Sequence, residues 1–254
     1  MNQIRDLLCK HHRLHARREI LDEALIAYTE RHYRMFASII PMQIEGIFHD
    51  WCLETKINKS QMKYPRRRLV ESIAQINQFQ GGFFFGFEYY SFIFPELRNK
   101  IAHGSELHGD VRILADEFLL DLRDVCLRIS SDQLPVNLAV RVINELNASK
   151  NSWRGLFKFS LIKSVELPSF YQLDELAKKY SADIEADDFV KKLRSVAEAG
   201  EPLIIDGLMR IRSIIPSSDA GKALKRYLSD KQAMEPEPTL RRIMAAIDNV
   251  SEPS

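Results

Sequence analysis

The sequence predicts an all-α protein: an antiparallel helical bundle at the N-terminus, followed by a smaller helical region. Two observations predict it. Apolar residues recur at spacings of three and four in successive segments before residue 132. The connections between those segments are short and marked by Pro, Gly and Ser, as neighbouring antiparallel helices require.

The elements follow in order. Between Ala16 and Ile40, the residues Ile20, Ala24, Ala27, Tyr28, Met35 and Ile39 predict one long amphipathic helix that Pro41 interrupts. Met42 to Glu54 is either a separate helix or a kinked continuation, and both alternatives leave Ile44, Ile47, Phe48 and Trp51 on one face. Leu69, Ile73, Ile76 and Phe79 form the stripe of a shorter helix that stops at Gly81-Gly82. Pro95 is a good first-turn residue for the next helix, taken as reaching His108. The series Leu114, Phe118, Leu122, Val125, Ile129 is the cleanest helical pattern and ends near Ser130-Ser131.

Residues 1–131 are thus one expected bundle and residues 132–254 a second region of different texture, punctuated by Gly155, Pro168, Gly200, Pro202, Pro216 and Gly221. Asp183 and Ser217 or Ser218 read as N-caps there, Gly200 as a C-cap, and the alternation Phe157, Phe159, Leu161 as a brief strand. A last short helix is expected from Thr239 to Val250, behind a Glu-Pro-Glu-Pro linker.

The 254 residues are 45% hydrophobic, enough to bury a substantial core in one large domain or two small ones. A net charge of +1 means that contact with nucleic acid must come from local clustering and not from a basic whole-protein field. Three widely separated cysteines, Cys9, Cys52 and Cys126, argue against a disulfide framework and fit a reducing compartment, so a cytoplasmic location is expected. No N-terminal apolar run resembles a signal peptide. Phe83 to Phe94 holds eight aromatic residues in twelve, but it contains Glu88 and is too short to span a membrane, so it reads as core or subunit interface.

The chemistry concentrates in Arg98-Asn99-Lys100-Ile101-Ala102-His103, followed by Gly104. On a helix, Asn99 and His103 stack at i and i+4, while the long stem of Arg98 can bring its guanidinium toward the same substrate. Cleaving RNA without a metal needs a base for the ribose 2′-hydroxyl, an acid for the leaving 5′-oxygen and a cation for the charge on phosphorus. Imidazole serves the first two because both of its protonation states are populated near neutral pH, and a planar guanidinium serves the third. One His is not easily acid and base in a single step, so two motifs facing across a two-fold axis make a better machine.

Lys56, Lys59, Lys63, Arg66, Arg67 and Arg68 fall within thirteen acid-free residues and are the candidate RNA-gripping patch, with a solvated loop as the plainer alternative. His11, His12 and His15 have spacings that suit a metal, with Cys9 nearby, but no second ligand pair accompanies them and no metal is expected. His49 with Cys52 lacks an orienting third group for a nucleophile pair. His108-Gly109 repeats His103-Gly104 and is a candidate second imidazole. There is no Gly-rich phosphate loop and no Ser-His-Asp signature, and no cofactor is expected.

Leu97 to Gly104 resembles the motif of the HEPN superfamily, small helical bundles that carry Arg, a polar residue often Asn, then three to five residues and His. Ile40-Pro41-Met42-Gln43-Ile44-Glu45-Gly46 is similar to the Pro-interrupted, acid-bearing second helix of HEPN branches found in bacterial defence proteins. The resemblance covers residues 16 to 131. It implies metal-independent endoribonuclease activity in a homodimer, with Arg98 and His103 of each subunit in a shared cleft, Asn99 orienting them and Glu45 as helper. It also implies a toxin or anti-phage role with an antitoxin or other regulatory partner, or else an inert RNA-binding or protein-interaction module. For Glu45 the plainer reading is an interhelical ion pair with Arg98.

Overall fold

The computed structural model describes residues 1–55, 68–82, 84–103, 110–149, 152–200, 202–210 and 212–234. Those residues are overwhelmingly helical and contain no strand, which makes the protein all-α. Two compact units divide the chain: Met1–Arg141 with Val165–Gln172, and Val142–Ser164 with Leu173–Ser254.

In the first unit, α1 (Asn2–Lys10), α2 (His12–His15) and α3 (Arg18–Thr29) lead to the long central α4 (Tyr33–Glu54). The break between α3 and α4 falls at Arg31 and not at Pro41. Arg31 takes the left-handed conformation at φ 65°, and the His32 N–H closes back on the Ala27 carbonyl at 2.8 Å, ending α3 with its last-turn carbonyls satisfied. Pro41, buried inside α4, removes one backbone donor without ending the helix. The neighbours Ile40 and Ile44 are fully buried and hold the continuation in place.

After α5 (Arg68–Phe79), Gly81 and Gly82 both have positive φ and return their N–H groups to Gln78 and Asn77, the stop that the glycine pair predicts. A π-turn, Tyr89–Ile93, runs directly into α6 (Phe94–Ala102), with Pro95 in its first turn. α7 (Val111–Ile129) begins behind Asp110, whose carboxylate accepts the Arg112 N–H at 2.8 Å. Its residues Phe118, Leu122, Val125 and Ile129 are wholly buried against α4, as their spacing predicts.

The aromatic segment lies partly in the core and partly at the surface. Phe84, Tyr90 and Phe94 join the core, where Phe48 stacks on Trp51 and meets Tyr90 edge-on at 4.9 Å. Phe85, Phe92 and Ile93 are exposed.

Two titratable groups, buried His11 and partly buried Asp121, give this unit opposing pH dependences. His11 is 3% exposed; burial first, then the neighbouring His12, lower its pKa to about 4, with Glu54 and Asn137 offsetting only part of the shift. As pH falls from 6.5 toward 4, the unfolded chain takes up a proton that folded His11 refuses, so this group removes up to about 3 kcal/mol of stability. Asp121 behaves in the opposite sense. Burial raises it to about 6, against hydrogen bonds from the Tyr89 and Tyr90 hydroxyls that pull it down. The folded carboxyl is therefore protonated before the unfolded one, and acidification below pH 6 adds stability until about pH 4. Asp121→Asn should exceed wild type in unfolding free energy at pH 7.5 and lose that advantage between pH 6 and pH 4. Urea titrations of both proteins across that range measure the difference, and a pH-independent gap would contradict the assignment.

The second unit is built from α8 (Pro135–Ser149), which starts in the first unit, then α9 (Trp153–Ile162), α10 (Asp174–Glu185), α11 (Asp187–Glu198), α12 (Pro202–Arg210) and α13 (Asp219–Met234). Phe157, Phe159 and Leu161 lie in α9, which replaces the expected strand. Ser152 caps that helix by accepting the Gly155 N–H, and Phe157 seats against Gly207, where a Cβ would meet the ring at 2.5 Å. Asp183 is inside α10 and caps nothing, whereas Ser218 caps α13 through the Gly221 N–H at 3.2 Å and Gly200, φ 82°, follows the end of α11. The expected helix at 239–250 lies outside the described residues. No described helix is long and apolar enough to cross a membrane.

Candidate active site

α4 and α6 bring the motif and its acid together. Glu45 lies one turn after Pro41 on α4, and its Oε2 is 2.6 Å from Nη2 of Arg98 on α6. The other arm of the fork, Nη1, donates to Oδ1 of Asn99 at 3.0 Å. Arg98 is therefore held from two sides, by a carboxylate across the helix interface and by its own neighbour. Its side chain is 29% exposed and that of Glu45 22%, so the pair sits at the rim of the core, partly desolvated yet open to a ligand.

α6 ends at Ala102, so the helix expected to run to His108 is shorter. His103 is its C-cap, at φ −91° and ψ 7°, and its N–H still donates to the Asn99 carbonyl at 3.0 Å. The i, i+4 relation between Asn99 and His103 is thus kept in the last turn, and both residues are exposed. A hydrogen-bonded Arg and Asn, with a solvent-exposed His closing the same short helix, are the kinds of group that a phosphodiester reaction uses.

α4 carries a second acid–guanidinium pair on a different face. Arg17, just before α3, donates from Nε to Asp50 at 2.9 Å and from Nη1 to Gln43 at 3.2 Å. Its guanidinium lies directly over Gly46, where a Cβ would stand 2.5 Å from Nη1. The glycine beside Glu45 is there for this close approach. Nothing local in the sequence links residues 17 and 46.

Of the proposed RNA-gripping patch, Lys56, Lys59, Lys63, Arg66 and Arg67 lie outside the described residues, and Arg68 is the first residue of α5. His108 and Gly104 also lie outside them.

Of the histidine cluster, His12 joins a hydrogen-bonded network around Glu54. His12 Nε2 is 3.0 Å from Glu54 Oε1 and its Nδ1 is 3.1 Å from the Tyr171 hydroxyl, while Arg13 Nε donates to the same Glu54 oxygen at 2.7 Å. Among the described residues no group of three or more His, Cys, Asp or Glu is placed to hold a metal ion. Cys52 is buried, donates to the Ser72 carbonyl, and has its thiol pushed up to about 11 by burial, which deprives it of nucleophilic character. Comparison with protein-family models, with characterised proteins and with solved structures finds no match.

Proposed function

We propose that this chain is a metal-independent endoribonuclease of HEPN type that acts as a homodimer, with Arg98 and His103 as its reacting groups and Asn99 and Glu45 positioning Arg98. The observation that carries the reading is the grip on Arg98: Glu45 and Asn99 fix a guanidinium beside the exposed terminal turn that bears His103. His103 exchanges the protons of 2′-hydroxyl attack and 5′-oxygen departure, and Arg98 offsets the charge growing on phosphorus. A second subunit would supply the second imidazole. Phe92, 66% exposed in the π-turn just before α6, offers apolar surface for such a subunit contact. A toxin or anti-phage role, with a regulatory partner such as an antitoxin, follows from the resemblance.

The test is incubation of wild type and His103→Ala with RNA in excess EDTA. Wild type should cut and leave 2′,3′-cyclic phosphate ends, with His103→Ala slower by about 10² to 10⁴. Cleavage that EDTA abolishes, or that survives in His103→Ala, would remove the mechanism. A second reading, an inert RNA-binding or protein-interaction module, is favoured by one observation: both arms of the Arg98 fork are already occupied within the protein. RNA retained equally by both proteins without cuts would establish it.

A further inference from the structure

α4 and α7 begin side by side, and between their first turns lies a cleft of about 770 Å³ lined by Arg31, His32, Tyr33 and Arg34 on one wall and by Asp110 and Arg112 on the other. Its electrostatics are the reverse of what a helix start usually carries. Each helix N-terminus presents roughly half a positive charge, and acids normally sit in the first turn to balance it. α4 has no acid in its first turn, and α7 has only its cap, Asp110. α4 has no side-chain cap, and Arg31, His32 and Arg34 cluster at its start.

The nearby carboxylates already have partners. Asp110 caps α7, Asp116 accepts the Tyr28 hydroxyl at 2.5 Å and stands 4.0 Å from Arg112, and Glu30 stands 3.7 Å from His32. Among the described residues Arg31 and Arg34 are exposed and meet no carboxylate. Arg31 and Arg34, held together at the uncapped start of α4, repel one another, and an anion in the cleft would relieve that repulsion. The wall is also aromatic: Tyr33 packs edge-on against Tyr28 at 5.6 Å and lines the cleft, next to the half-exposed Met35. Cations that track a backbone beside a ring that accepts a base are the elements of single-strand recognition.

The cleft lies at the end of the bundle toward which α6 points. Tyr90 meets Asp121 and Asp124, and Phe94 meets Phe118, so α6 advances toward the start of α7. Along α4, Tyr90 packs on Phe48 and Arg98 reaches Glu45, again toward the start of the helix. From Glu45 to His32 is thirteen residues, about 20 Å of helix axis, and His103 lies beyond Arg98 in the same direction. A strand crossing the motif has a few nucleotides to run before it enters the cleft.

We propose that this cleft is a subsite for single-stranded RNA, with Arg31, Arg34 and Arg112 holding phosphate oxygens and Tyr33 stacking a base, so that an unpaired strand is led to His103. The proposal rests on the ribonuclease reading and names its substrate class. Its test uses the full chain carrying His103→Ala, so that RNA is bound and not consumed, with an unstructured oligonucleotide and the same sequence annealed as a duplex. Arg31→Gly keeps the left-handed backbone that Arg31 adopts, which an alanine would strain, and is combined with Arg34→Ala. The double variant should bind the single strand at least tenfold more weakly at low salt and lower the slope of log affinity against log salt by about 1.4, the loss of two phosphate contacts. Tyr33→Leu should weaken single-strand binding by about fivefold or more, and duplex binding much less.

If the parent binds RNA and the double variant matches it in affinity and slope, the subsite is wrong while the ribonuclease reading stands. A duplex bound as tightly as the single strand overturns the substrate class. If the parent binds no RNA even in dilute buffer, the ribonuclease reading fails and the subsite fails with it. Competition by inorganic phosphate at constant ionic strength would mark a free-anion site instead and overturn the strand assignment.

Discussion

Arg98→Ala should lower the turnover of saturating RNA by about 10² to 10³ with no change in helical content, the effect of removing one preorganised electrostatic donor from a developing charge. Arg98→Lys should fall nearly as far. The guanidinium spans two acceptors, Glu45 at 2.6 Å and Asn99 at 3.0 Å, through two different nitrogens in one plane. An ammonium is a point charge on a flexible stem and cannot hold that fork, so it keeps the charge and loses the placement.

Glu45→Gln tests what the acid does. If Glu45 positions Arg98, an amide that still accepts a hydrogen bond should cost about tenfold, and the effect should vanish in an Arg98→Ala background, where nothing is left to position. Additive losses in that cycle would give Glu45 a role of its own. Full activity in Arg98→Lys would take Arg98 out of the mechanism. Circular dichroism alongside the kinetics separates lost chemistry from lost fold.

Local information explains which features were readable from the chain. The α7 stripe, the Gly81-Gly82 stop and the Pro95 start depend on spacing or backbone freedom within one segment, and they appear where their residues place them. The break at Arg31 does not, because a left-handed arginine is chosen by closure of the preceding turn onto Ala27 and by the burial of α4 beyond it. Pro41 left two outcomes open, and the continuation is the one adopted, because the burial of Ile40 and Ile44 offsets the cost of the interior proline. In α9, alternation over five residues is too short to tell a strand from a helix, and the Ser152 cap together with the seat of Phe157 on Gly207 decides it.

The site was legible to the same degree. Arg98, Asn99 and His103 stand within six residues and share the end of α6, and the pairing of Arg98 with Glu45 was one of two expected roles for that acid. What reading along the chain misses is contact across it. Arg17 over Gly46, and the cleft that joins residues 31–34 to 110–112, involve positions with no common periodicity. The one available signal was the run Arg31-His32-Tyr33-Arg34, a basic and aromatic stretch at a helix start with no acid in the first turn.

Glu54→Ala should destabilise the first unit by about 3 kcal/mol. The Glu54 side chain is 4% exposed and accepts from both Arg13 and His12. Burial alone would raise its pKa, but those two hydrogen bonds and the charges behind them prevail and hold it below the usual glutamate range. Its contribution is therefore present at neutral pH and is lost as pH falls through the folded value, below the unfolded value of about 4.3. Removing the carboxylate strands His12, 11% exposed, between an empty site and the Tyr171 hydroxyl, whereas Arg13, 37% exposed, can turn to water. That asymmetry places the cost at the lower end of the range for breaking a buried pair. Arg13→Ala should then cost clearly less than Glu54→Ala, and Tyr171→Phe about 1 kcal/mol through the lost hydroxyl contacts to His12. Urea unfolding at pH 7 measures all three; a Glu54→Ala cost below that of Tyr171→Phe would show that the carboxylate is not the anchor of this network.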